Sequence, residues 1–208
     1  MRKHFCLSKV IAILFLFASL CNSSVSYAQL SKQGKKAVKE LVKRYNSEGY
    51  KSESMLYTMS EEISRFRQKV ETGDYTVLTS DGAGASSFAA EASALQAAAS
   101  LYATAAGSTI TAGLEREIGN VGENYDIFHG SYVQNVQKYI TPLLKKEMKF
   151  IKQNSNIVSV RVGYSIDEKS AKKAREEALD ATVKTVAEGQ AFGDAVRKYV
   201  EQNVSVTE

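Results

Sequence analysis

The chain has 208 residues, with 27 Lys+Arg against 23 Asp+Glu, two histidines, two cysteines and no tryptophan. Three of the basic residues and none of the acidic ones lie in residues 1–28, so the remainder carries a formal charge of +1, which gives no electrostatic basis for nucleic-acid binding. Cys6 and Cys21 lie there too, so beyond residue 28 the chain offers no disulfide, thiol nucleophile or cysteine metal site.

Met1-Arg2-Lys3, an apolar run from Val10 to Leu20, and the small residues of Ser26-Tyr27-Ala28 have the three parts of a secretory signal peptide, with cleavage expected after Ala28. The apolar run is too short to span a bilayer comfortably. The expected product is periplasmic or secreted. Cys21 offers an alternative, an outer-membrane protein held by a lipid anchor, because bacterial lipoproteins are cut just before the cysteine that carries the lipid. Leu20 stands where that cut normally has a small residue. The 180 residues after the signal suffice for one domain with a core. The expected organisation is a signal peptide over 1–28, an N-terminal helical segment over 29–72, an α+β core domain over 73–204 and a flexible tail over 205–208.

Residues 30–46 read as a basic amphipathic helix, with Val38, Leu41, Val42 and Tyr45 on one face and lysines on the other. Such a helix could lie on a membrane surface. Residues 50–53 read as a short extended link. A second helix is expected over 55–70, where Met59, Ile63, Phe66 and Val70 recur at three or four, with a start signal at 60–63. Thr72-Gly73-Asp74 is a turn, and the β-formers of 75–79 predict a strand. Residues 80–84, with two glycines and an aspartate, read as the turn that delivers the chain into the next helix.

That helix is the centre of the chain. Between Ala92 and Leu114 there is no charge, and alanine is the best helix former. Phe88, Leu95, Tyr102 and Ile110 fall with Ala92, Ala99 and Ala106 on one predicted face. The stretch 84–120 has the length of a membrane span, but its serines, threonines and Gln96 make it weakly apolar for one. Glycines near 120 are expected to end it. A further helix follows, with Val133, Val136, Ile140 and Leu143 on one face, and Pro142 is expected to kink or stop it.

Met148 and Phe150 alternate with lysines over 145–152, and Val158, Val160, Val162 and Tyr164 alternate with small or polar residues. Around the turn-rich Gln153-Asn154-Ser155-Asn156 these two runs predict a β-hairpin over 146–164 with one buried face. Ser165-Ile166-Asp167-Glu168 has capping-box spacing, with Ser165 as the expected N-cap of a long helix. Its apolar stripe runs through Ala171, Ala174, Ala178, Leu179, Val183 and Val186. After Gly189 a stripe of Phe192, Val196, Tyr199 and Val200 continues to the C-terminal end. The predicted fold class is helix-dominated α+β, a small antiparallel sheet packed on long α-helices.

Three stretches carry a family likeness: Lys35-Lys36 through Gly49-Tyr50, Ala89 through Glu117, and the valine-alternating run from Val158 to Ser165. In these the chain resembles the small secreted lipoproteins of Gram-negative bacteria grouped around a twenty-kilodalton membrane-associated lipoprotein. The resemblance covers most of the chain beyond the signal. It implies an envelope-associated domain and transfers no active-site residues.

The chemistry on offer is sparse. His129 is the one histidine beyond the signal; it sits between Asp126 and Gly130 in an expected turn, and no serine has a nucleophile-elbow pattern. Glu115, Glu117, Glu123 and Asp126 cluster in sequence and could serve as a carboxylate pair for hydrolysis, without the spacing of an EF-hand loop. Gly82-Ala83-Gly84 precedes a helix but lacks the lysine and hydroxyl of a phosphate loop. Tyr125, Phe128, Tyr132 and Tyr139 form an aromatic set that would make a partner surface if exposed and a core if buried. The leading expectation is a non-enzymatic secreted or envelope domain, without metal or cofactor, acting through contacts with a protein partner or a second copy of itself. The alternatives are a membrane-interacting protein using 84–120 or 30–46, and a carboxylate-based hydrolase.

Overall fold

A computed structural model describes residues 30–118, 123–186 and 189–203. The signal segment with Cys21, the glycines expected to end the central helix, and the tail 205–208 lie outside the described residues.

Helix α1, Lys32–Ser47, starts where the Ser31 hydroxyl accepts the Gly34 N–H at 2.9 Å. Its expected apolar face turns inward, with Val38 and Tyr45 buried and the lysines left in water. The link after it forms a two-residue strand, β1, Lys51–Ser52. Helix α2, Met59–Thr72, begins later than periodicity suggests. Thr58 and Glu61 close a capping box there, so Met55 and Leu56 precede the helix and stand in solvent. Gly73, at φ 73°, ends it in the left-handed region.

Strand β2, Tyr75–Gly84, is twice the expected length, and the glycine-bearing segment 80–84 is its second half rather than a turn. The glycines are there for close approach. A Cβ on Gly82 would lie 2.0 Å from the Ala90 carbonyl oxygen of the following helix. That helix, α3, Ser87–Ile118, is uncharged over most of its length, yet no helix among the described residues is long and apolar enough to cross a membrane. Its face differs from the expected one only in the first half. Ala99, Tyr102 and Ile110 of the expected face are buried in the largest core cluster, with Ala106 half-buried against it. In the first half Ala90, Ala94 and Ala98 are buried against Val160, Val162 and Tyr164, while Ala92 is exposed and Phe88 is 85% exposed. Close contact with the sheet selects the smallest side chains, which a search for large apolar residues passes over.

Helix α4, Glu123–Ile140, runs through the residues expected to form a turn at Asp126 and Gly130. A 3₁₀ turn, Thr141–Leu143, with Pro142 early in it, stops the helix as expected. Strands β3, Lys145–Asn154, and β4, Ile157–Asp167, form the predicted hairpin, with Ser155 at φ 51° in its turn. Helices cover both of its faces rather than the one expected, because the Met148–Phe150 alternation and the Val160–Tyr164 alternation fall on opposite sides. Ser165 belongs to β4 and is fully buried, so it is not the cap. Asp167 takes that role, accepting the Ser170 N–H at 2.9 Å at the start of α5, Glu168–Thr185. Helix α6, Gly189–Asn203, completes the described chain.

The fold class is helix-dominated α+β with a four-stranded antiparallel sheet, in the order β1-β3-β4-β2. Alternation along the strands gives the sheet two apolar faces. Met148 and Phe150 meet α1 and α2 on one side, with Val38, Tyr45, Ile63 and Phe66. Val160, Val162 and Tyr164 meet the first half of α3 on the other. The second half of α3 packs with α4, α5 and α6 in the largest cluster, around Leu114, Phe128, Val136 and Ile140.

Candidate functional site

Among the described residues the β2 edge of the sheet is unpaired along its whole length, while on the opposite edge β1 pairs with two residues of β3. β2 is hydrogen-bonded to β4 on one side, and among the described residues no strand lies on its other side. A groove of about 510 Å³ runs there. Thr79, Ser80 and Asp81 of β2 line it, with Leu41 and Arg44 of α1 and Phe66 and Arg67 of α2 on one flank. Ala97 and Leu101 of α3 form the other flank. Because α1–α2 and α3 cover opposite faces of the sheet, the groove straddles the β2 edge.

Its inner end is organised by Arg161, the one charge in the apolar-alternating run of β4. Register places it opposite Asp81. Its Nε and Nη2 donate to the two Asp81 carboxylate oxygens, each at 2.7 Å, and Nη1 donates to Glu48 Oε2 at 2.6 Å. The guanidinium also lies over the rings of Tyr45 and Tyr50, at 4.8 and 4.7 Å. Hydrogen bonds to Asp81, and then to Glu48, hold Arg161 still more firmly protonated than usual, against the opposing effect of burial. Burial, reinforced by Asp81, raises the Tyr50 phenol above its ordinary range. Arg161 thus ties α1, β2 and β4 together and engages both Asp81 and Glu48.

Arg44 and Arg67 are differently placed. Arg44 lies over Tyr45 at 5.3 Å and reaches Glu48 only at 3.8 Å. Arg67 makes no hydrogen bond or ion pair among the described residues, and its Nε–H is buried without an acceptor. Its charge assists in lowering the Glu71 carboxyl, which the Ser31 N–H and hydroxyl hold down first. Helix α1 on the same flank carries six basic residues and one acidic. The groove is therefore electropositive, with apolar walls.

The remaining polar clusters are ties between elements. Lys149 bridges Glu53 and Glu91 at 2.6 and 2.9 Å. Arg175 donates to Tyr102 and to Glu168. Glu62, 8% exposed, accepts from the Ser52 hydroxyl, and burial raises its carboxyl pKa. Among the described residues no group of three or more His, Cys, Asp or Glu is placed to hold a metal ion.

The aromatic set forms core, not a partner surface. Tyr125, Phe128 and Tyr132 are buried and Tyr139 packs half-buried against them, with Phe128 5.3 Å from Phe192. Their helical face points into the α3–α4–α5–α6 cluster. His129 is half-buried on α4, beside Gly107 of α3, where an added Cβ would come within 2.8 Å of its Nε2. Asp126 is exposed on α4. The side chains of Glu115, Glu117 and Glu123, like Cys21, lie outside the described residues. Sequence reasoning missed the groove, whose only advance signals were a lone arginine in an apolar strand and an aspartate among glycines.

Fold and groove together define the class: a helix-dominated α+β domain with an electropositive cleft along an open sheet edge. Comparison with protein-family models, curated proteins and solved structures gives no match.

Proposed function

We propose that the chain is an exported, non-enzymatic domain of the bacterial envelope that works by holding another protein in the β2 groove. One observation carries this reading. The ten-residue β2 strand has an open edge between two helical layers, beside an arginine whose Nε–H lacks an acceptor. Unpaired strand edges are templates for another chain, and a buried unpaired donor favours a ligand that supplies the acceptor. The signal-like N-terminus and the lipoprotein resemblance support the location. Anchoring through Cys21 is compatible with it.

Two measurements test this. The mass of the N-terminus in cells distinguishes processing before Gln29 from processing at Cys21, and an unprocessed Met1 removes the export reading. A photoreactive residue at Leu101, in the groove, is expected to give a discrete adduct with another protein in intact cells. The same residue at Lys173, on the far surface of α5, is expected to give none. Identical patterns from both positions, or no adduct from Leu101, count against a binding groove.

A further inference from the structure

The occupant of this groove can be narrowed from the way the two sheet edges are treated. At the β1 side, β3 carries Lys145, Lys146, Lys149 and Lys152, and β1 covers Phe150 and Ile151. Lysines and a very short outer strand are devices that discourage further strand pairing. The β2 edge has neither. Its sequence contains no lysine, and its single charge, Asp81, is neutralised by Arg161.

The flanks suit an extended chain. Successive side chains of a strand point to opposite faces. A strand laid beside Thr79–Asp81 would direct alternate side chains toward Leu41, Phe66 and Arg67 on one flank and toward Ala97 and Leu101 on the other. Leu101 is 56% exposed as the groove stands, an apolar wall without cover. The charge is also selective. Asp81 and Glu48 are both engaged by Arg161, leaving Arg67 with a free donor and Arg44 weakly held. A carboxylate on the incoming chain would accept from Arg67, and the strand laid over the groove would shield that charge-assisted hydrogen bond from water.

We infer that the groove takes an extended, acidic segment of a partner protein, which adds to β2 as a fifth strand and places a carboxylate on Arg67. Main-chain pairing supplies affinity, and the arginine with the two apolar flanks supplies selection. This inference rests on the reading of the groove as a protein-binding site.

The test uses the purified protein and a fluorescent peptide of about eight residues, the length of an ordinary strand, alternating valine with glutamate. A peptide with lysine for glutamate is the control. The glutamate peptide is expected to bind saturably and at least about tenfold more tightly than the lysine peptide. Amides of residues 77–83 are expected to exchange more slowly with it bound. Arg67→Gln is expected to weaken binding about tenfold, the cost of about 1.4 kcal/mol per tenfold change, and Arg67→Lys to restore part of it. Leu101→Glu, on an exposed helix position that does not threaten folding, is expected to weaken it likewise by repulsion.

Several results would overturn the inference. They are no saturable binding below millimolar peptide, binding indifferent to Arg67→Gln and Leu101→Glu, or binding without slowed exchange in β2. Competition by inorganic phosphate as strong as by unlabelled peptide would reduce the site to a simple anion site. Concentration-dependent dimerisation that protects the β2 amides without peptide would assign the edge to a second copy instead. A protein adduct from Leu101 with a failed peptide titration would keep the groove as a protein site and remove only the acidic strand. Failure of both would remove both.

Discussion

Gly82 of β2 and Ala90 of α3 are pressed together: a Cβ added to Gly82 would sit 2.0 Å from the Ala90 carbonyl oxygen and 2.5 Å from the Ala94 nitrogen. Neither obstacle is a flexible side-chain end. Backbone meets backbone, and this contact sets how closely the central helix lies on the sheet and how the α3 flank of the groove is placed. Gly82→Ala must push the helix away and open the Ala90, Ala94 and Ala98 interface. The expected loss is about 3 kcal/mol, lowering Tm by roughly 6–12 °C for a domain of this size. Thermal unfolding followed by circular dichroism measures it.

Gly130 is the opposite case. It lies inside α4, and nothing stands within 4 Å of where its Cβ would be. Alanine there gains helix propensity without a clash. Gly130→Ala is expected to stabilise by about 0.5–1 kcal/mol, measured by urea unfolding.

Arg161 holds Asp81 bidentately and Glu48 with its remaining nitrogen, and it stacks on two tyrosines. A lysine ammonium cannot reproduce that fork or the stacking. Asp81 has 54% of its side chain exposed, so water takes up part of the loss. Arg161→Lys is expected to cost about 1–2 kcal/mol. Asp81→Asn should then cost less in the lysine background than in the parent, and the double-mutant cycle reads that coupling.

Glu62 predicts a pH dependence. Burial raises its carboxyl pKa, and hydrogen bonds from the Ser52 hydroxyl and the Lys149 N–H offset this only in part. A raised folded-state pKa means that the folded protein binds the proton more tightly than the unfolded chain. The stabilisation from this group is therefore complete below the unfolded value of about 4.3 and is lost as pH rises through the folded value. Glutamine keeps an acceptor oxygen at this position without ionising. Glu62→Gln is expected to melt higher than the parent at pH 7–8, with the two curves converging near pH 4. A constant difference across that range would assign the effect to packing instead.

Much of the architecture was legible because it rests on local periodicity. The α1 stripe through Val38 and Tyr45, the hairpin alternation through Val160 and Val162, and the α5 stripe through Ala174 and Ala178 all landed on buried faces. Local signals failed where a distant element decided the outcome. The glycines of 80–84 look like a turn until α3 is laid across them. Ser165 has the spacing of a cap, but β-pairing with Val77 and Lys145 keeps it in the strand and passes the cap to Asp167. Of the large apolar residues expected inside on α3, Tyr102 and Ile110 are buried, yet Phe88 is outside, and the contact with the sheet is held by Ala90, Ala94 and Ala98. The Tyr125 to Tyr139 set was ambiguous in sequence, because a helical stripe of aromatics reads the same whether it meets water or a core.

By itself the sequence determined the fold class, the hairpin, and the apolar faces of most helices, because each follows from the spacing of residues a few positions apart. The tertiary structure alone decided that Arg161 would meet Asp81 and Glu48, 80 and 113 positions away, and that the Arg67 Nε–H would be buried without an acceptor. It also left the β2 edge open between two layers. Those relationships join α1, α2, β2, α3 and β4, and no window along the chain contains them. The physical reason is that strand order and layer packing are set by burial summed over the whole domain, whereas propensity and periodicity act only along neighbouring residues.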